Sequence, residues 1–379
     1  MKNIFKSERD HFKWSKQKEY LTHLETIDEE TRFKAIEAIS FLEKEFGKQF
    51  LKITTVNHPV RLMISNKAPF QIKDLIAFTN TLQILKKQDN NYNRLLLKLL
   101  SQKEAKTEGI SLVNVARLFS KEEFIISFLE EVKNHPTPDL KISNLNNKDI
   151  FYIEITKLNT SDNNNQISNN YNFFHKQFHE IQPLFPFYGH QLKSIDKDEY
   201  IEIADIIANA KKRVKEENQI IYYADHRFNF LLAPSSDDND FNEVCNRNNI
   251  RPIHFDSLPI NLDETSRINN KIDKAYQIPK DKNGLLFIAI SPLYFMTTEL
   301  SVAIERLESN ISKHKNLLGI ILFSEIVAAK ESKVIKISNH IFARKTIENL
   351  CRESLFIFNK SCDINLSKET IEKIYKALS

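Results

Sequence analysis

An α/β architecture, a mixed sheet flanked by helices, is predicted for this chain by three observations. Two apolar runs, Leu285–Ile290 and Leu317–Phe323, are the length of buried strands. Helical spacing precedes each of them, at Asp263–Tyr276 and Thr297–His314, giving the order helix, strand, helix, strand. Hydrophobic residues make up 41% and charged residues 27% of the 379 positions, enough apolar surface for two or three cores.

Residues 1–110 read as a helical N-terminal module. Asp28 can cap a helix running to Phe46, with Gly47 as its stop, and Phe33, Ile36, Ile39 and Leu42 share one face. Phe50–Ile64, with its β-branched residues and His58-Pro59, predicts a small hairpin. Ile72, Leu75, Ile76, Thr79 and Leu82 return to helical spacing, and Asn93–Leu100 continues it.

Residues 111–158 read as the first part of the core. Ser120 and Glu123 fit a capping box for a helix Lys121–Lys133 with Phe124, Phe128 and Val132 on its buried stripe. Asn134-His135-Pro136-Thr137-Pro138 must stop that helix. Two short strands follow, Asp139–Ile142 and Asp149–Ile155, around the turn Asn144–Lys148. Residues 159–258 read as an α/β insertion: a polar loop Ser161–Asn165, an aromatic-rich helix Ile167–Ile181, a helix Glu199–Glu217, strands Gln219–Ala224 and Phe228–Ala233, an acidic loop Ser235–Asp240, a short helix Phe241–Asn248 and a strand Pro252–Phe255. Residues 259–379 complete the core with Gly284–Ile290, a helix capped by Thr297, Leu317–Phe323 and C-terminal helices, the last capped by Ser367.

Several function classes are excluded. Only 5 glycines occur, with no GxGxxG and no GxxxxGK[ST], which removes nucleotide binding of those two kinds. Three separated cysteines, Cys245, Cys351 and Cys362, form no CxxC, so neither a disulfide scaffold nor a cysteine-rich zinc site is expected. MKNIFKSERDHFKW has no apolar core of a secretory signal, and no apolar run reaches membrane-spanning length. A cytoplasmic protein without membrane contact is the expectation. A net charge of +4 gives no strong global field for nucleic acid. Lys211-Lys212-Arg213-Val214-Lys215 reads as a solvated helix face.

The segment Pro138-Asp139 followed by Phe151-Tyr152-Ile153-Glu154-Ile155-Thr156-Lys157 carries the chemistry. Glu154 lies inside an apolar strand and shares its face with Tyr152 and Thr156. A carboxylate there is costly unless it is paired, solvated or bound to a cation. Two hairpin-linked carboxylates can come close in space, and such pairs with open water positions suit Mg²⁺ or Mn²⁺.

Pro-Asp, then a strand carrying a glutamate with a lysine nearby, resembles the PD-(D/E)xK superfamily of metal-dependent nucleases. The resemblance implies a restriction-endonuclease-like core and phosphodiester hydrolysis. It implies Asp139 and Glu154 as metal ligands, with a glutamate from the preceding helix, Glu130 ahead of Glu123, as a third. The superfamily's lysine falls two residues after the glutamate, where this chain has Thr156. Lys157, three residues after, points to the other face unless a bulge re-aims it. The lysine migrates to the next core helix in some members, and Lys271-Ile272-Asp273-Lys274-Ala275-Tyr276-Gln277 before Leu285-Leu286-Phe287-Ile288 is similar to that helix and strand. Lys274 is then the catalytic lysine, and Lys271 and Gln277 bind substrate; Lys211 and Lys212 are a second choice. DNA is the expected partner ahead of RNA, and a homodimer fits enzymes of this type that cut two strands. The alternative is a silent member of this fold that binds nucleic acid or protein.

His175 and His179 stand four residues apart, a spacing that fits one metal, yet no third ligand accompanies them. The phenylalanines from Phe173 to Phe187 read as core.

Overall fold

The computed structural model describes the chain apart from residues 1–11, 56, 89–90, 104, 121, 131–135, 159–160, 236–238, 251–254, 260–263, 292–293, 296–297, 328–331 and 348–349. It divides into two compact units, Met1–Leu158 with Asp263–Ser379, and Asn159–Leu262.

The first unit opens with helices α1 (Trp14–Thr22), α2 (Glu29–Phe46), α3 (Phe50–Ile53), α4 (Pro59–Ser65), α5 (Pro69–Gln88), α6 (Tyr92–Leu100) and α7 (Ala105–Phe119). Asp28 caps α2 by accepting the Thr31 N–H, and Gly47 ends it. The hairpin expected at Phe50–Ile64 is instead the helices α3 and α4. Pro59 is the reason: it occupies the first turn of α4, where its fixed φ suits a helix start and its missing N–H costs nothing.

Three antiparallel strands follow, β1 (Phe124–Phe128), β2 (Leu140–Asn144) and β3 (Ile150–Lys157). The expected helix Lys121–Lys133 is therefore corrected to a strand. Phe124 and Phe128 share a face under a period of 3.6 and under a period of 2. Ile126 decides between them, because it is buried with both. Glu123 caps nothing; it sits in a tight turn at φ 57°, where Lys373 reaches its carboxylate at 2.9 Å.

After the second unit come α11 (Thr265–Ile272), a 3₁₀ turn Asp273–Gln277, β8 (Gly284–Ala289), α12 (Leu300–Ile311), β9 (Leu317–Val327), β10 (Lys333–Ile337), β11 (His340–Ile347), β12 (Leu350–Phe358) and α13 (Lys368–Leu378). Of the C-terminal helices expected after Leu317–Phe323, α13 forms; ahead of it the described residues make the strands β10, β11 and β12, because Ile341, Phe342, Leu355 and Phe356 bury on alternate sides of one sheet. Thr297 lies outside the described residues; Glu299 occupies the cap position of α12. Ser367 caps α13 through the Thr370 N–H.

The eight strands form one mixed sheet in the order β1-β2-β3-β8-β9-β12-β11-β10, with β3, β8 and β9 parallel. One face buries Ile142, Phe151, Ile153, Leu285 and Phe287 against the N-terminal helices. The other buries Leu286, Ile288, Ile320 and Leu322 against Ile268 and Ile272 of α11 and Leu307 of α12. This two-sided cover explains why β8 and β9 are apolar throughout.

The second unit holds α8 (Asp162–His175), which runs into a π-turn Lys176–Glu180, then β4 (Phe187–Gln191), α9 (Tyr200–Glu217), β5 (Ile221–Ala224), β6 (Phe228–Leu232), α10 (Asn239–Arg247) and β7 (Phe255–Asp256). Its four strands pair as β5-β6-β4-β7. Phe174, Phe178, Phe228 and Phe230 fill its core. The expected polar loop Ser161–Asn165 begins α8, since Ser161 accepts the Asn164 N–H as its cap. Residues 236–238 of the expected acidic loop Ser235–Asp240 lie outside the described residues, and Asn239 begins α10.

Candidate active site

Strand register brings the two sequence-identified carboxylates together. Leu140 stands opposite Ile153, so Asp139, one residue ahead of β2, faces Glu154. The ladder to β1 continues at the same level, where the Leu129 N–H donates to the Asp139 carbonyl at 3.0 Å. Past the end of β2 the Ile155 N–H would lose its partner. The Asp139 carboxylate supplies one, accepting that N–H at 2.9 Å. The Asp139 backbone in turn bonds the Glu154 carboxylate. Each acid is held by the backbone of the other strand, on the sheet face that carries Tyr152 and Thr156.

The 3₁₀ turn after α11 packs on β3. Burial there repeats every three residues: Ile272, Ala275 and Ile278 are buried, Asp273 and Tyr276 are exposed, and Lys271, Lys274 and Gln277 lie between at half burial. Three residues per turn keep these rows in line. Gly284 permits the close approach, because a Cβ there would come within 2.7 Å of the Ile278 side chain and 2.9 Å of the Tyr152 carbonyl.

Glu154 is 6% exposed. Burial pushes its carboxyl up to about 9, and the Asp139 charge adds to the rise. Lys274 works in the opposite direction, followed by the bond from the Asp139 backbone and by Lys98. The site thus contains an acid that holds its proton near neutrality, a second acid beside it, and two lysines whose charge favours the ionised form.

Lys157 is exposed and projects from the opposite face to Glu154. The β3–β8 register is unbroken from Tyr152 to Lys157, so no bulge re-aims it. Thr156 shares the Glu154 face. Glu130 is on no helix; it follows β1, is exposed, and lies 4.0 Å from Arg94. The helix that precedes β1 is α7, whose first turn carries Glu108, paired to Lys98 of α6 at 3.2 Å. Lys98 and Glu108 escaped the sequence reading because α7 was not recognised as a separate helix. Lys211 is a structural residue of the second unit: its ammonium donates to the Gln177 and Ile181 carbonyls at 2.6 Å each and closes the π-turn.

Among the described residues no three histidine, cysteine, aspartate or glutamate side chains converge on one point. His175 and His179 are exposed, with ring centroids 4.4 Å apart and planes tilted by 34°. No described helix is long and apolar enough to cross a membrane. No protein-family profile, curated protein or solved structure matches the chain.

Proposed function

We propose that this chain is a nuclease-like protein of the PD-(D/E)xK kind, hydrolysing phosphodiester bonds of nucleic acid with a divalent cation. The observation that carries the reading is the cross-strand pair Asp139–Glu154, formed where three antiparallel strands meet a fourth laid parallel to the third. The order α7, β1, β2, β3, then α11 and β8 resembles the core arrangement of that superfamily. Lys274 stands on the element just before β8, where the displaced lysine of such enzymes is expected.

Two oxygen donors on adjacent strands, with no third acidic ligand among the described residues, fit Mg²⁺ or Mn²⁺ better than Ca²⁺, because Mg²⁺ keeps several waters and needs only one or two carboxylates. When bound, the ion lowers the pKa of a water and neutralises charge on the phosphodiester. Asp139 and Glu154 would hold it. Glu154 must give up its proton to do so, and Lys274 favours that ionised form. Lys274 would also offer its ammonium to the phosphoryl oxygen as charge develops. Burial of Glu154 keeps bulk water off one side of the pair. Lys157 takes no part, since it is on the other face.

A second reading has its own observation. Thr156 occupies the usual lysine position and the described acidic cluster is limited to two members, which favours a silent domain that binds nucleic acid without cutting it. Incubation of supercoiled plasmid, single-stranded DNA and RNA with Mg²⁺ or Mn²⁺ separates the two. Metal-dependent cleavage is expected for the wild type. Asp139→Asn and Glu154→Gln are expected to lose it by at least about a hundredfold, the scale on which removing a key stabilising group acts. Cleavage that survives both substitutions sinks the nuclease reading; tight binding without cleavage selects the silent one.

A further inference from the structure

Helices α6 and α7 nearly touch. A Cβ at Gly109 would lie 3.0 Å from the Leu99 backbone nitrogen and 3.0 Å from its Cδ2. That approach fixes the residues just before each, Lys98 and Glu108, as a pair at 3.2 Å. Helix α6 is itself anchored to the end of β1. The Asn91 side-chain amide donates to the Phe128 carbonyl at 2.8 Å, and Arg94 stands 4.0 Å from Glu130. Lys98 is one helical turn beyond Arg94, on the same side. Since Leu129 bonds Asp139 across the β1–β2 ladder, this basic row runs along the sheet end at which the acidic pair begins.

We propose that Lys98 is a substrate-positioning residue that exchanges Glu108 for a backbone phosphate of nucleic acid lying across Asp139 and Glu154. The proposal rests on the nuclease-like reading above. Lys98 is partly covered and Glu108 mostly exposed, at 25% and 59%, so little energy holds them together. A lysine is a compact point charge that serves phosphate as readily as carboxylate. The helix that carries Lys98 is tied to the end of β1 by Asn91, and β1 is tied there to Asp139 by Leu129, so an ammonium at this position serves the same sheet end that Lys274 meets from the opposite cover. Glu108 then acts as a competitor that substrate must displace.

The test is equilibrium binding of a short fluorescein-labelled DNA duplex, in EDTA to prevent cleavage, over a salt series. Lys98→Gln is expected to weaken binding about three- to tenfold and to reduce the log–log salt slope by about one. Glu108→Gln is expected to tighten binding, because it releases Lys98 from its competitor, and Lys98→Arg to retain it. If the pair is only structural, Lys98→Gln and Glu108→Gln weaken binding alike and leave the slope unchanged; that result, or no effect from either, overturns the proposal. A wild type that cuts DNA while Lys98→Gln binds normally defeats the Lys98 role alone. A wild type that binds but never cuts defeats the nuclease reading and leaves Lys98 to be judged by the slope.

Discussion

Glu154 could be recognised from its surroundings in the sequence. A carboxylate between Ile153 and Ile155 has few ways to be stable, and pairing with another group across the hairpin is one. Lys157 was likewise legible, because a three-residue offset on a strand reverses the face. Lys274 needed the resemblance, and Glu130 was misassigned with the helix that carried it. The charge state of Glu154 makes a prediction of its own. An unfolded chain ionises this residue near the ordinary 4.5, whereas the native one keeps the proton until about pH 9. Stability from this group is therefore complete below pH 4.5 and is lost as pH rises toward 9. Glu154→Gln cannot ionise. Its stability relative to wild type, measured by urea unfolding in EDTA, should improve between pH 5 and pH 8 by up to about 1 kcal/mol per pH unit. A gap that stays constant with pH contradicts the assigned environment.

Among the elements, β1 was read as a helix because helices and strands share a spacing of four residues, and the hairpin expected at Phe50–Ile64 gave way to α3 and α4 because Pro59 starts a helix. The order β8, α12, β9 was readable because the runs Leu285–Ile290 and Leu317–Phe323 are apolar and separated by a helical period. What pattern could not reveal was how the sheet ends. The outer edge of β1 is closed by two side-chain amides: Gln88 accepts the Ile126 N–H at 3.0 Å and donates to the Phe124 carbonyl at 3.0 Å, while Asn91 donates to Phe128. These amides imitate a neighbouring strand and block edge-to-edge pairing. Gln88→Ala should cost about 1–3 kcal/mol, the range for stranding a partly buried peptide group, and should raise the tendency to aggregate. Urea denaturation and light scattering check both. An unchanged midpoint would mean that water replaces the amide without loss. The Gly109–Leu99 approach is a second feature hidden from periodicity, since it depends on a helix pair that sequence alone did not resolve.

At the scale of the molecule, each unit has its own buried core, phenylalanine-rich in Asn159–Leu262 and layered on both sides of the sheet in the other. Composition allows two or three cores, and the chain passes from the first unit to the second just after β3 and returns at Asp263. Calorimetry should accordingly resolve more than one transition, with a calorimetric enthalpy above the van't Hoff value; a single two-state transition would show the units unfolding as one. The acidic pair belongs wholly to the first unit, as do Lys98 and Lys274. Whether Asp139 and Glu154 bind a cation together is measured directly by Mn²⁺ titration followed by electron paramagnetic resonance. One Mn²⁺ per chain is expected, bound more tightly as pH rises from 6 to 8 because Glu154 must release its proton, and lost in both Asp139→Asn and Glu154→Gln. Binding that is absent, or that persists unchanged in both variants, would contradict the site.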